Sequence, residues 1–203
     1  MHNEISARPN LLADLRSARL ARTWERLRIP GVVIGGSVLM AVCAHLALPL
    51  YFTPVPLTLA PFAVLLLGLA LSPRLATATL CAYLAEGMLG LPVFAPGPAL
   101  PSGPAHLLGP TGGYLLAYPL AAALISFAWR KSSRTFAAAA LCAAAGDLVI
   151  LASGALWLGI LTHVPVRAAI TLAAVPFLPG DALKVVAAAA LVTAFLRLRR
   201  RGA

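Results

Sequence analysis

Six apolar runs, at about 30 to 49, 58 to 71, 73 to 90, 111 to 129, 135 to 161 and 180 to 196, fill most of this chain. A helix needs about 20 apolar residues to cross a hydrocarbon core of ~30 Å. The pattern therefore predicts an all-α, polytopic integral membrane protein with six transmembrane helices. The second and third runs are short by this measure, so they must stand upright, extend into their flanks or sit where the bilayer thins. Ser72-Pro73 divides them, Ser72 suited to cap a helix and Pro73 to its first turn. A chain that is 61% hydrophobic and 11% charged, with a mean hydropathy of +0.90, is not an ordinary soluble protein.

The basic residues orient the runs. Lys and Arg gather on the cytoplasmic side of membrane proteins. With the amino terminus inside, the inner segments hold Arg8, Arg16, Arg19, Arg22, Arg26 and Arg28, then Arg74, then Arg130, Lys131 and Arg134, and finally Arg197, Arg199, Arg200 and Arg201. Only Arg167 falls in an outer connection, and Lys184 falls within a run. Both termini are thus expected to be cytoplasmic. Residues 1 to 29 read as a cytoplasmic basic amphipathic segment, with Leu20, Trp24 and Leu27 at helical spacing as on a helix lying on the inner leaflet. Residues 30 to 196 read as the membrane domain and 197 to 203 as a basic tail. A net charge of +10, placed beside apolar runs, reads as membrane flank rather than nucleic-acid surface. No cleavable signal peptide is expected, because a basic stretch of about thirty residues precedes the first run.

Four charged side chains are left inside the runs: Glu86, Asp147, Asp181 and Lys184. Such groups cost at least about 2 to 3 kcal/mol each unless they pair or meet a polar ligand. In Pro176-Phe-Leu-Pro-Gly-Asp181-Ala-Leu-Lys184, the proline and glycine favour a new helix start, which puts Asp181 in its first turn and Lys184 one turn on along the same face. The pair is either a ligand site or an ion pair that locks two helices. Glu86 lies near the outer end of the third run, and Asp147 lies roughly 18 Å up the fifth by helical rise. All four share the outer half, which favours one pocket open to the outside. Glu86 and Asp147 read equally as ligand contacts or as protonated carboxyls bonded between helices. Tyr83 lies one turn from Glu86.

Gly109-Pro-Thr111-Gly112-Gly113-Tyr114 opens the fourth run with small residues, whose free first-turn amides suit a polar or anionic group. It is no Walker loop, since no Gly-Lys-Ser/Thr follows. Two outer connections, 49 to 61 and 91 to 110, are rich in proline, the second in glycine as well, and read as lids or as plain linkers. The apolar stretch from Ala168 to Val175 is too short to span and is expected in the outer interface or as a brief re-entry. Cys43, Cys81 and Cys142 read as small buried residues, and His2, His45, His106 and His163 are too scattered for a metal. The small residues Gly35, Gly36, Ser37, Ala41 and Ala44 of the first run suit close packing within the bundle or against a partner subunit.

Pro54-Val-Pro-Leu-Thr-Leu59, Gly90-Leu-Pro-Val-Phe94, Gly109-Pro-Thr-Gly-Gly-Tyr114 and Pro176-Phe-Leu-Pro-Gly-Asp181 with Lys184 resemble, in order over about residues 30 to 196, the signatures of BioY. That family is the substrate-binding S component of biotin transporters of the energy-coupling factor type. The resemblance implies capture of biotin from outside, without covalent catalysis or cofactor. It implies work with a transmembrane coupling subunit and two cytoplasmic ATPases in a bacterial or archaeal cell membrane. It assigns ligand contact to Asp181 and Lys184, whose carboxylate and ammonium suit the two N–H groups and the carbonyl of the ureido ring. Tyr83 and Tyr114 suit the apolar part, with Glu86, Asp147, Thr111 and Gly112 completing the expected site. The sequence departs from the pattern at Ala60-Pro61, where a Gln often follows Thr-Leu, and at Asp147, where Asn is more usual. No evident Arg awaits the biotin carboxylate; Arg167 and the amides at Thr111 to Gly113 are the alternatives. A stand-alone secondary transporter, proton-coupled through Glu86 or Asp147, and a membrane enzyme using the acids as general acid and base are the competing readings.

Overall fold

The computed structural model describes residues 11–97 and 103–202, with side chains described from residue 28 onward. Among these residues the chain forms α1 (Leu11–His45), a hairpin of β1 (Ala47–Leu48) and β2 (Leu57–Thr58), α2 (Ala60–Ala70), α3 (Pro73–Met88), α4 (Pro104–Leu108), α5 (Gly112–Lys131), α6 (Phe136–Thr162), α7 (Val166–Ala173) and α8 (Leu178–Arg201). The hairpin pairs antiparallel, Ala47 opposite Thr58 and Leu48 opposite Leu57. Every other regular element among the described residues is helical.

Local sequence accounts for most boundaries. Ser72 caps α3, its Oγ accepting from Leu75 N at 3.4 Å, and Pro73 takes the first helical position, where its missing N–H costs nothing. Thr135 caps α6 in the same way, accepting from Ala138 N at 3.3 Å. His163 closes α6 in a left-handed conformation with φ 52°. α1 runs unbroken through Pro30, so the helical backbone from residue 11 is continuous with the first apolar run. The side chains of the amphipathic reading, Leu20, Trp24 and Leu27, lie outside the described residues.

Arg28–His45, Gly112–Lys131 and Phe136–Thr162 are long and apolar enough to cross a membrane. α7 and α8 together make a fourth candidate, bent by 54° at their junction. α2 and α3, at 11 and 16 residues, rise only about 16 and 24 Å. They fall short of the hydrocarbon core as the brevity of their runs foretold.

α5 sits at the centre, packed on α2, α3 and α6, while α8 leans on α2 and α6. Its two faces are both apolar: Tyr114, Tyr118, Ala121, Ala122 and Ile125 are buried, whereas Leu116, Leu120, Leu124 and Phe127 are exposed. α1 likewise exposes Ile34, Val38 and Val42. A surface this apolar would aggregate in water and is at home in lipid. The α5/α6 crossing is close because of glycine. A Cβ on Gly113 would stand 2.2 Å from Trp157 Cβ and 2.5 Å from the Ser153 carbonyl oxygen.

Gly113→Ala should therefore lower the apparent unfolding midpoint in detergent, at a cost of about 1 to 3 kcal/mol, since backbone must move. Gly35→Ala, with nothing within 4 Å of the new Cβ, should leave that midpoint unchanged or raise it.

Candidate functional site

The break between α7 and α8 builds the site's polar end. Phe177 precedes α8, and Asp181 N donates to its carbonyl at 2.8 Å, so Asp181 stands in the first turn, where helix amides favour a carboxylate. Lys184 follows one turn later, and its Nζ donates to Asp181 Oδ1 at 2.7 Å. Both side chains are buried. They do not merely satisfy each other, because both line a cleft with about 570 Å³ of empty space, counted out to its solvent opening.

The hairpin and every helix but α7 contribute to the walls. Ala44 from the end of α1 and Val55, Pro56 and Thr58 from the hairpin form one side. Tyr83 of α3, with His106 and Thr111 from the connection into α5, forms another. Tyr114, Leu115 and Tyr118 of α5, Ile150 and Leu151 of α6, and Phe177 close the rest. Thr53 Oγ1 donates to the Leu172 carbonyl at 2.9 Å, which ties the hairpin loop to α7. Trp157 Nε1 donates to the Gly109 carbonyl at 2.9 Å and fixes the approach to α5. Both proline-rich connections thus wall the cleft rather than trail from it.

Five of the eight expected residues meet here: Asp181, Lys184, Tyr83, Thr111 and Tyr114. The tyrosines present rings more than hydroxyls, since Tyr83 Oη donates to the Val93 carbonyl at 3.2 Å and Tyr114 Oη donates to the Ala173 carbonyl. Tyr83 packs edge-on to Phe94 at 5.4 Å between centroids, and Phe94 lies 4.8 Å from the His106 ring. The other three stand back. Gly112 faces away: a Cβ there would lie 1.9 Å from the Leu107 carbonyl oxygen, and its N–H already donates to Gly109 O at 3.1 Å. Its glycine serves contact between α4 and α5. Glu86, half-buried, accepts a hydrogen bond from Ser37 Oγ and joins α3 to α1. Asp147 is buried on α6 one turn from Ile150 and Leu151, close enough to feel the charges of Asp181 and Lys184, and its Oδ1 has no hydrogen-bond partner among the described residues. Arg167 is exposed on α7 and borders a separate surface groove.

Sequence reasoning missed Tyr118, His106, Thr58 and Phe177. Tyr118 was within reach, one turn beyond Tyr114 on the same face of α5. His106 carried no signal, because a lone histidine in a proline-rich connection looks like a loop residue.

The arrangement is an apolar, aromatic chamber with an ion pair at one end. It suits a compact, mostly apolar ligand that offers both hydrogen-bond donors and an acceptor to that pair. Removing one member of a buried pair strands the other. Lys184→Met should therefore destabilise the ligand-free protein by roughly 3 kcal/mol, and combining it with Asp181→Asn should recover much of that loss. Thermal unfolding of the three variants in detergent checks this.

The BioY family model matches residues 19–201. A probable biotin transporter BioY of Pyrococcus horikoshii is 39% identical over 141 residues, covering 70% of this chain and 79% of the relative. The biotin transporter BioY of Thermotoga maritima is 36% identical over 172 residues, covering 81% and 91%. Biotin transporter BioY2 of Lactococcus lactis is 36% identical over 160 residues, covering 79% and 83%. In three dimensions the chain superimposes on the crystal structure of an S component for biotin from an ECF-type ABC transporter. That match has a TM-score of 0.77 at 26% identity and covers 87% of this chain and 93% of the other.

Proposed function

This chain belongs to the BioY family, and from that premise we propose that it is a membrane-embedded biotin-binding subunit that takes biotin from outside the cell. Its role is transport rather than catalysis. Energy comes from a coupling subunit and two ATPases, the partners of an ECF-type assembly. The observation that carries the reading is the buried Asp181–Lys184 pair opening on an apolar cleft walled by the hairpin and by helices from α1 to α8 other than α7. The ureido N–H groups donate to Asp181, the ureido carbonyl accepts from Lys184, and the fused ring and aliphatic tail lie among Tyr83, Tyr114 and Tyr118. Thr111 lines the same cleft. Glu86 and Asp147 act one layer out, Glu86 by holding α3 to α1 through Ser37 and Asp147 as a buried carboxyl on α6 next to the cleft-lining Ile150 and Leu151.

Residues 30–196 form the membrane domain. The short α2 and α3 complete six spans with the four long candidates, with both termini on the cytoplasmic side as the distribution of arginine requires. A second reading, proton-coupled uptake without ATPases, draws support from the unpartnered Oδ1 of Asp147. Uptake that persists without any ATPase and collapses with the proton gradient would favour it.

Equilibrium binding of labelled biotin to detergent-purified protein, with other vitamins as competitors, tests the proposal. Asp181→Asn and Lys184→Ala should each weaken binding by about tenfold or more. Removing one charge from the Arg197 to Arg201 cluster should leave it unchanged. Near-normal affinity in both site variants would reject the assigned pocket.

A further inference from the structure

We propose that a groove between the start of α6 and the end of α8 holds an anionic phospholipid of the inner leaflet, its phosphate on Arg197 and Arg201. The groove is separate from the biotin cleft, and the site does not depend on which ligand that cleft takes. Phe136 at the head of α6 forms one side and successive turns of α8 form the other. Along α8 the lining changes character in one direction. Ala190 and Ala194 stand a turn apart, Leu198 follows on the same face, and Arg197 and Arg201, again a turn apart, end the row. From Ala190 to Arg201 the helix rises about 16 Å, the hydrocarbon depth of one leaflet. With the termini on the cytoplasmic side, the row runs from acyl-chain depth to headgroup depth. Thr193 does not interrupt it, because its Oγ1 donates to the Ala189 carbonyl at 2.7 Å. Phe136 is 42% exposed and Leu198 67%, so apolar surface stands open beside the arginines.

Charge gives an independent argument for the occupant. Asp181–Lys184 is the one salt bridge among the described residues, so neither Arg197 nor Arg201 has an acidic partner there. Basic residues of the α5/α6 connection are engaged by rings instead. Lys131 Nζ lies 4.1 Å from the Phe127 ring centroid, and the Arg134 guanidinium lies 4.8 Å from that of Trp129. The sequence offers no acid to spare elsewhere. Glu86, Asp147 and Asp181 belong to the membrane domain, and Glu4, Asp14 and Glu25 stand among Arg8, Arg16, Arg19, Arg22, Arg26 and Arg28. The countercharge for Arg197 and Arg201 is therefore left to a molecule outside the chain. Guanidinium forks match phosphate oxygens, and basic pockets between helices on the inner face select anionic headgroups. A soluble anion would use the arginines alone, whereas a phospholipid also covers Phe136, Ala194 and Leu198.

Native mass spectrometry of the full-length protein in neutral detergent tests the site, with phosphatidylglycerol as the anionic probe and phosphatidylcholine of the same acyl chains as the zwitterionic control. The unaltered protein should bind its first phosphatidylglycerol about tenfold more tightly than phosphatidylcholine, as two basic contacts near a membrane surface allow. Arg197→Gln combined with Arg201→Gln should abolish that preference. Arg199→Gln combined with Arg200→Gln removes the same charge from residues that do not line the groove, and should change the preference by no more than about twofold. Ala194→Trp fills the apolar part of the groove and keeps both arginines, so it should weaken phosphatidylglycerol by about fivefold or more. No preference in the unaltered protein, or equal losses in the two double variants, would overturn the site. Unchanged lipid binding in Ala194→Trp would also overturn it, and would leave the arginines to a soluble anion or an acidic protein segment.

Discussion

An ammonium and a carboxylate buried in an apolar bundle are the constraint on which this structure depends. In lipid they cannot draw on bulk water, and they persist only where geometry, helix amides and a neighbouring cavity make them tolerable. The break between α7 and α8 supplies all three. Phe177 and Pro179 start α8 beside the cleft, so that Asp181 stands at the amide-rich end of the helix and Lys184 reaches back to it. The two helices meet there at a bend of 54°.

The rest of the fold brings distant parts of the chain to that point. α5 is the common wall, and its small residues let α6 approach within contact distance. The hairpin after α1 and the connection before α5 fold over the same opening, the first tied to α7 through Thr53 and the second to α6 through Trp157. Outside, the bundle offers leucine and isoleucine to lipid; inside, polar groups are few, and the Tyr83 and Tyr114 hydroxyls that reach the cleft's walls are bonded to backbone carbonyls. A ligand that enters such a chamber is selected by a few polar contacts against an apolar background. Glu86 illustrates the alternative use of a membrane acid, since its bond to Ser37 secures two helices away from the cleft.

Much of this was legible in the chain. Apolar run lengths placed α2, α3, α5 and α6 within a few residues, whereas α1 starts well before its run at Leu11 and the hairpin and α4 carried no run of their own; Ser72-Pro73 marked the start of α3 because capping is a local interaction. The acid and base near the start of α8 were legible because charge in an apolar run has few explanations. What escaped depends on long-range packing. A shared depth put Glu86 and Asp147 beside Asp181 and Lys184, but depth does not fix which way a side chain points around its helix. Gly112 reads as a ligand-facing glycine in sequence, yet the Leu107 carbonyl occupies the space its Cβ would need. His106 and Tyr118 join the cleft through the folding of a connection and the rotation of α5, neither of which a run of residues declares.

The claim that the ligand's ureido group completes the bonding of the α8 pair is tested most directly by solid-state NMR of the protein in lipid. The measurement is the dipolar coupling between 15N in the ureido ring of bound biotin and the 13C-labelled carboxyl of Asp181. The account predicts a coupling that corresponds to about 4 Å or less, the separation set by an N–H···O hydrogen bond to a carboxylate. Saturating biotin with no such coupling, the Asp181–Lys184 contact being unaltered, would contradict it.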